Sequence, residues 1–196
     1  HRWAWRSIAT GIIANSEATR RTMLESAPWL PPERVRVIYN GLRLEEYDLP
    51  GWRASVREEL GTPADAPVVG MIGELTARKN HALLLRELPE LRRRFPGLEV
   101  WIAGEGPERE RLLALAREAD GGAQAGGGGG SAGAGPAVKL LGFRGDVPYL
   151  IAGVDVLAHP ARVEGFGYAL VEAMAGGKPV VAAAASSIPE IVADGK

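Results

Sequence analysis

The sequence predicts an α/β fold organised around a doubly wound parallel sheet. Three observations carry the prediction. From Val68 onward, short apolar runs alternate with amphipathic stretches of helical period. The apolar runs are continuous rather than alternating, as expected where helices cover both faces of a sheet. The connections are short and carry glycine where strands end, which suits an open Rossmann-like sheet whose ligands sit at the carboxyl ends of its strands.

Taken in order, Ile12-Ile13-Ala14 reads as a short strand, and Ser16 as the N-cap of a helix over Glu17 to Glu25. Val35 to Ile38 reads as a second strand. Asn40-Gly41 breaks the chain, and a stretch containing Pro, Gly and Trp runs to Trp52. The main sheet is predicted from Val68 to Ile72, Leu98 to Ala103, Val138 to Leu141, Val154 to Leu157 and Val180 to Ala182. Helices are predicted at His81 to Phe95, Glu108 to Ala119, Val147 to Ala152, Gly167 to Ala175 and Ile188 to Ala193. In the first of these, Leu84, Leu88, Leu91 and Phe95 form an apolar stripe, while Arg86, Arg92 and Arg93 point elsewhere.

Length and composition bound the function. At about 150 residues per domain, 196 residues make one full domain and part of another. A net charge of −1 provides no global field for nucleic acid or an anionic membrane, so an anionic ligand needs a local site. The absence of cysteine removes disulfides, thiolate metal sites and thiol nucleophiles, and fits a reducing compartment. Three scattered histidines have no ligand spacing; His81 and His159 are expected to pack or cap, and no metal site is expected. Nine of the 26 glycines fall between Gly121 and Pro136. This segment is read as a flexible surface loop without a role. The cluster His1-Arg2-Trp3-Ala4-Trp5-Arg6 could touch a membrane interface, but is read first as a helix that packs in a longer protein.

The chemistry concentrates after His159-Pro160. A loop carries Glu164, and Gly165-Phe166-Gly167 opens a helix bearing Glu172. Glycines at a helix start let a ligand approach backbone N–H groups that have no intrahelical partner, where the dipole favours negative charge: a seat for phosphate. Glu172 lies eight residues beyond Glu164, about 12 Å along a helical axis. One carboxylate can meet the sugar side of a diphosphate while the other accepts hydrogen bonds from vicinal ribose hydroxyls. Standing alone, the pair would read as two solvated glutamates.

The pair does not stand alone. The two glutamates, the Glu-Gly-Phe-Gly loop and Glu172-Ala-Met-Ala-Gly-Gly-Lys-Pro-Val-Val resemble the donor-binding signature of retaining glycosyltransferases of GT-B family 4, also called group 1. Ile12 to Thr19 resembles the end of that family's amino-terminal domain, and Val37 to Gly41 its interdomain hinge. Gly73-Glu74-Leu75, Lys79-Asn80-His81, Ile102 to Pro107, Leu141 to Arg144 and Ile188 to Val192 follow in the family's order.

The resemblance implies three segments. Residues 1–40 would be the tail of an amino-terminal acceptor domain, 41–66 the linker and start of the donor domain, and 67–196 a nucleotide-sugar-binding domain clipped at its end. It implies that Glu172 binds ribose, that Glu164 contacts the donor sugar, and that Lys79 contacts the diphosphate and lowers leaving-group charge. Gly73, Gly165, Phe166 and Gly167 would line the donor, and Gly142, Phe143 and Arg144 would meet the base. No cofactor or bound metal is implied. The partners would be a nucleotide sugar and a sugar, lipid or polysaccharide acceptor, with no nucleic acid. The location would be cytoplasmic, extending to peripheral contact with the inner face of a membrane.

One position departs from the family. Glu74 stands where many members carry arginine, and a carboxylate about 4 Å from a diphosphate charge would be repelled by about 4 kcal/mol at an effective dielectric of about 20. Glu74 is therefore expected to point away, with Arg78 as the replacement cation. Two functions are carried forward: a glycosyltransferase whose excerpt here is inactive alone, and a nucleotide-sugar-binding module that transfers nothing.

Overall fold

The structure is a computed structural model and describes residues 10–47, 50–122 and 136–195. The Trp/Arg cluster at residues 1–6 and most of the Gly-rich segment lie outside the described residues.

The described residues form two parallel sheets. The smaller pairs β1 (Ile12–Ala14) with β2 (Val35–Val37). The larger comprises β3 (Val68–Ile72), β4 (Glu99–Ala103), β5 (Val138–Gly142), β6 (Val156–His159) and β7 (Val180–Ala182), in the spatial order β5-β4-β3-β6-β7. All its neighbours are parallel. The order reverses between β3 and β6, so the expected doubly wound class holds, and the ligand crevice of such a sheet lies at the carboxyl ends of these two strands.

Among the described residues, six α-helices flank the strands: α1 (Glu17–Ser26), α2 (Trp52–Glu59), α3 (Ala82–Arg94), α4 (Arg109–Gly122), α5 (Val147–Gly153) and α6 (Tyr168–Ala175). Strand β4 shows why its residues read as one apolar run. Val100 and Ile102 pack with Met71, Leu85, Leu88 and Leu112 on one face, while Trp101 and Ala103 pack with Val56, Val68 and Leu150 on the other. A third cluster, with Leu157, Leu170 and Ile188, seats α6 beside the switch point. Backbones must approach closely here. A Cβ on Gly153 would lie 2.5 Å from Val56 Cγ1 and 2.7 Å from Trp101 Cζ3.

The structure corrects several expected bounds. Helix α2 was not foreseen; it begins after Gly51, whose φ of 87° breaks the preceding chain, and buries Val56 and Arg57. The strand expected at Val154 begins at Val156, because the Val154 N–H still bonds the Ile151 carbonyl as the exit of α5. The helix expected over Ile188 to Ala193 is only a 3-10 turn, Ile188–Glu190. In α3, Leu85 and Leu88 occupy the core, whereas Phe95 at the end of the expected stripe is 49% exposed. Helix α4 extends to Gly122, into the segment read as loop. No helix among the described residues is long and apolar enough to cross a membrane.

A buried guanidinium joins α2 to the sheet. Arg57 is 2% exposed. It donates to the carbonyls of Gly153 (3.0 Å), Pro63 (3.1 Å), Ala64 (3.0 Å) and Ala66 (2.8 Å), and to the Asp155 carboxylate at 2.8 Å. Asp155 also accepts from the Val68 N–H at 2.8 Å, at the start of β3. Arg57→Ala would strand these acceptors, and should lower unfolding free energy by about 3 kcal/mol in urea denaturation. A loss below about 1 kcal/mol would contradict a structural role for this network.

Candidate active site

The loops leaving β3 and β6 meet at the switch point. Gly73 ends β3 with φ 149°, and a Cβ placed on it would lie 3.9 Å from Lys79 Nζ. A short 3-10 turn, Ala77–Lys79, then carries Lys79 toward β6; Asn80 ends it in the left-handed region, which asparagine tolerates. Two hydrogen bonds stitch the loops together. Asn80 Nδ2 donates to the Pro160 carbonyl at 3.4 Å, and the Arg162 N–H donates to the Arg78 carbonyl at 2.8 Å.

Glu164 lies at the centre. Its carboxylate Oε2 accepts from Lys79 Nζ and, at 2.9 Å, from His159 Nε2; among the described residues, Oε1 accepts only the Gly165 N–H, at 3.1 Å. The side chains of Glu164 and Lys79 are 9% and 13% exposed. Burial alone would push the carboxyl up, but the hydrogen bonds from His159 and Lys79 and their positive field hold it at about 2. The site therefore keeps a fixed negative charge with one oxygen still able to accept.

The backbone of this loop is clasped from both sides. Ser186 and Ser187 hydroxyls donate to the Glu164 carbonyl at 2.7 and 3.0 Å. Ser16 and Thr19, at the start of α1, donate to the Gly165 carbonyl at 2.6 and 3.1 Å. Ser16 is also the N-cap of α1, as expected, accepting from the Thr19 N–H at 3.0 Å. Glu190 completes the junction by accepting the Glu17 and Ala18 N–H groups, each at 2.8 Å. Between α1 and the loop lies a cleft of about 730 Å³, lined by Ala18, Met23, Trp29, Val163 and Glu164 among others.

Glu172, on α6, stands apart from Glu164. Burial raises its pKa, and its Oε1 accepts the Tyr47 hydroxyl at 3.1 Å. Burial, and then the negative charge of Glu172, raise the Tyr47 hydroxyl in turn. Gly167, with φ 89°, turns the chain into α6 as expected. Phe166 is 6% exposed and packs between Tyr39 and Tyr168. Its ring serves packing, so any ligand contact there falls to backbone.

On the opposite rim, Gly142 accepts the Gly104 N–H at 2.7 Å. Gly104, with φ 149°, sits so close to the first loop that a Cβ would fall 2.0 Å from the Gly73 carbonyl oxygen. Phe143 is 79% exposed. Arg144 is occupied by Asp146 (2.6 Å) and Glu59 (2.8 Å), which fix the loop that presents Phe143.

The structure brings Gly73, Lys79, Glu164 and Gly165 together, while Glu172 is held by Tyr47 and Phe143 stands exposed. Arg78, expected as the replacement cation, pairs with Glu74 at 2.9 Å, and both side chains are about half exposed. Two participants escaped the sequence reading. His159, expected to pack or cap, is bonded to Glu164; its place at a strand end five residues before Glu164 was the available signal. Tyr47 reaches Glu172 across 125 residues, which no local pattern reveals. Among the described residues, no group of three or more His, Asp or Glu is placed to hold a metal.

Comparison with known proteins places the chain in a family. Residues 66–196 match the family model for glycosyl transferases group 1, and the chain belongs to that family. A GDP-mannose-dependent alpha-(1-6)-phosphatidylinositol monomannoside mannosyltransferase of Mycolicibacterium smegmatis is 37% identical over 158 residues, covering 75% of this chain and 37% of the relative. D-inositol 3-phosphate glycosyltransferase of Mycobacterium tuberculosis is 32% identical over 192 residues, 95% of this chain and 36% of the relative. Among solved structures, Anabaena Alr3699/HepE in complex with UDP and glucose superposes with a TM-score of 0.81 at 31% identity, over 99% of this chain and 49% of that one. WaaG, a glycosyltransferase involved in lipopolysaccharide biosynthesis, shares the fold at a TM-score of 0.75 and 23% identity, over 93% of this chain and 46% of that one. The chain thus spans about a third of the length of these curated relatives and about half of these solved chains.

The depressed Glu164 pKa sets an acid limb of stability. Because the folded value lies below the ordinary 4.5, the contribution is complete above about 4.5 and is lost as pH falls toward about 2. Glu164→Gln should flatten denaturation midpoints across that window. At pH 7, Lys79→Met should cost about 2 kcal/mol, and adding Glu164→Gln should recover at least about 1 kcal/mol of it in a double-mutant cycle. Additive losses would contradict the pairing.

Proposed function

We propose that this chain carries the donor half of a retaining glycosyltransferase, which moves a sugar from a nucleoside diphosphate to an acceptor hydroxyl. The observation that carries the reading is the meeting of Lys79, His159 and Glu164 at the carboxyl ends of β3 and β6. In this reading Lys79 neutralises charge on the departing diphosphate, so transfer proceeds without a bound metal. Glu164 faces the sugar, and its fixed negative charge favours positive charge growing at the anomeric carbon. Glu172 accepts the ribose hydroxyls, and Phe143 offers an exposed ring to the base. The UDP and glucose of the Anabaena complex support this choice of donor class.

The glycines act through the backbone. Gly165 and Gly167 leave the start of α6 open to phosphate oxygens, and Gly73 and Gly142 keep side chains out of the crevice. Arg78 takes a secondary part, holding the carboxylate of Glu74 so that it does not oppose the diphosphate.

We assign residues 1–40 to the trailing part of an acceptor lobe, 41–66 to the linker and 67–196 to the donor lobe. The mainly apolar cleft beside Glu164 suits an acceptor with a lipid portion, and the phosphatidylinositol monomannoside in the name of one relative supports that class. Such an acceptor would place the full protein at the cytoplasmic face of a membrane. Because the chain spans only part of its relatives' length, it is expected to bind donor without turning it over.

Calorimetric titration with UDP-, GDP- and ADP-sugars tests the reading. One of them should bind saturably, and Glu172→Ala should weaken it about tenfold or more. No saturable binding of any donor by the folded chain would overturn the proposal.

A further inference from the structure

A second cavity, of about 220 Å³, opens between the loop after β3 and the starts of α3 and α4. It is smaller than the roughly 300 Å³ at which pockets for drug-sized ligands begin. The proposed donor reading makes no use of it. Arg86, Arg111 and Arg162 line it, against the single carboxylate of Glu108. Glu108 is matched by Arg111 at 2.5 Å. Arg86 and Arg162 are exposed, and among the described residues neither side chain enters an ion pair or hydrogen bond.

The same wall holds two buried polar atoms without a partner, Thr76 Oγ1 and His81 Nδ1. His81 is only 4% exposed. Burial, reinforced by nearby His159 and Lys79, holds it at about 4, so the imidazole is neutral at pH 7. A neutral imidazole adds no charge to the cavity but still has a hydrogen-bonding nitrogen to satisfy. Leaving such groups unpaired is costly.

Helix α3 begins at this point. Its N-cap, His81, makes no side-chain capping bond, and its first turn has no acidic residue. The positive end of a 13-residue helix thus has no acidic side chain in its own first turn, and Glu108, the carboxylate in the cavity, is taken by Arg111. Unmatched guanidinium charge, two unpartnered buried polar atoms and an uncapped helix start have one common complement, a small anion rich in acceptor oxygens.

We propose that this cavity is a phosphate-binding subsite, separate from the donor diphosphate position. Arg86 and Arg162 supply its charge, and Thr76 and His81 supply neutral hydrogen bonds. Free phosphate and a phosphate ester present the same oxygens to these groups, so the chemistry recognised is the same.

The test follows the His81 ring by 1H–15N NMR while the whole chain is titrated with inorganic phosphate, and separately with glycerol 3-phosphate. A saturable shift of the His81 ring is expected. It should weaken tenfold or more in Arg86→Ala/Arg162→Ala, whose exposed side chains can be removed without opening the core. It should persist within about twofold in Lys79→Ala, which separates this site from the donor reading. Tighter binding of glycerol 3-phosphate upholds the site as one for an ester, and equal binding upholds it as one for free phosphate. No response at His81, or a response lost in Lys79→Ala and kept in the double arginine variant, would overturn the proposal.

Discussion

A carboxylate cannot stay buried and charged without partners, and the partners that Glu164 takes organise the centre of this molecule. Lys79 arrives from the loop after β3 and His159 from the end of β6, the two strands flanking the point where the sheet reverses its order. Pairing the three groups fixes where the loops stand relative to each other. The hydrogen bonds from Asn80 to Pro160 and from Arg162 to Arg78 then hold backbone to backbone around the same charge. An electrostatic requirement at one residue thereby becomes the shape of a crevice.

The same loop couples the two sheets. Its carbonyls at Glu164 and Gly165 are held by Ser186 and Ser187 on one side and by Ser16 and Thr19 on the other. Glu190, from the turn after β7, caps α1 by accepting its first N–H groups, which favour a carboxylate through both hydrogen bonding and the helix dipole. The smaller sheet thus joins the larger through polar contacts centred on the Glu164 loop, while each packs a separate apolar cluster. In the proposed function, that arrangement places an acceptor-side helix one hydrogen bond from the loop that faces the donor sugar.

Much of the fold was legible because it rests on short-range pattern. The five strands of the main sheet could be read from apolar runs, buried on both faces in the central β4 though not in the edge strand β7, where Val181 is exposed, and Ser16 announced α1 by its capping chemistry. Helix α2 was hidden because its most buried polar residue is Arg57, whose partners are carbonyls of the loop that follows and Gly153 and Asp155 far along the chain; a charged residue there looks like surface until those acceptors are in place. Phe95 read as core by spacing but falls at the end of α3, past the sheet. The site divided in the same way. Glu164, Glu172, Lys79 and the glycines stand in recognisable order along the chain. The Tyr47–Glu172 bond and the Glu74–Arg78 pair are facts of three-dimensional arrangement, and the second gives Arg78 a counter-ion that spacing alone did not announce.

The account makes Lys79 a shared partner, bonded to Glu164 in the free chain and drawn toward a diphosphate when donor binds. A 13C NMR titration of the Glu164 side-chain carboxyl, with and without UDP, measures that sharing directly. In the free chain the carboxyl should remain ionised until about pH 2. With UDP bound its titration should move upward, as Lys79 divides its charge, while staying ionised at neutral pH. A free-chain titration at the ordinary 4.5, or a curve indifferent to saturating UDP, would contradict the account.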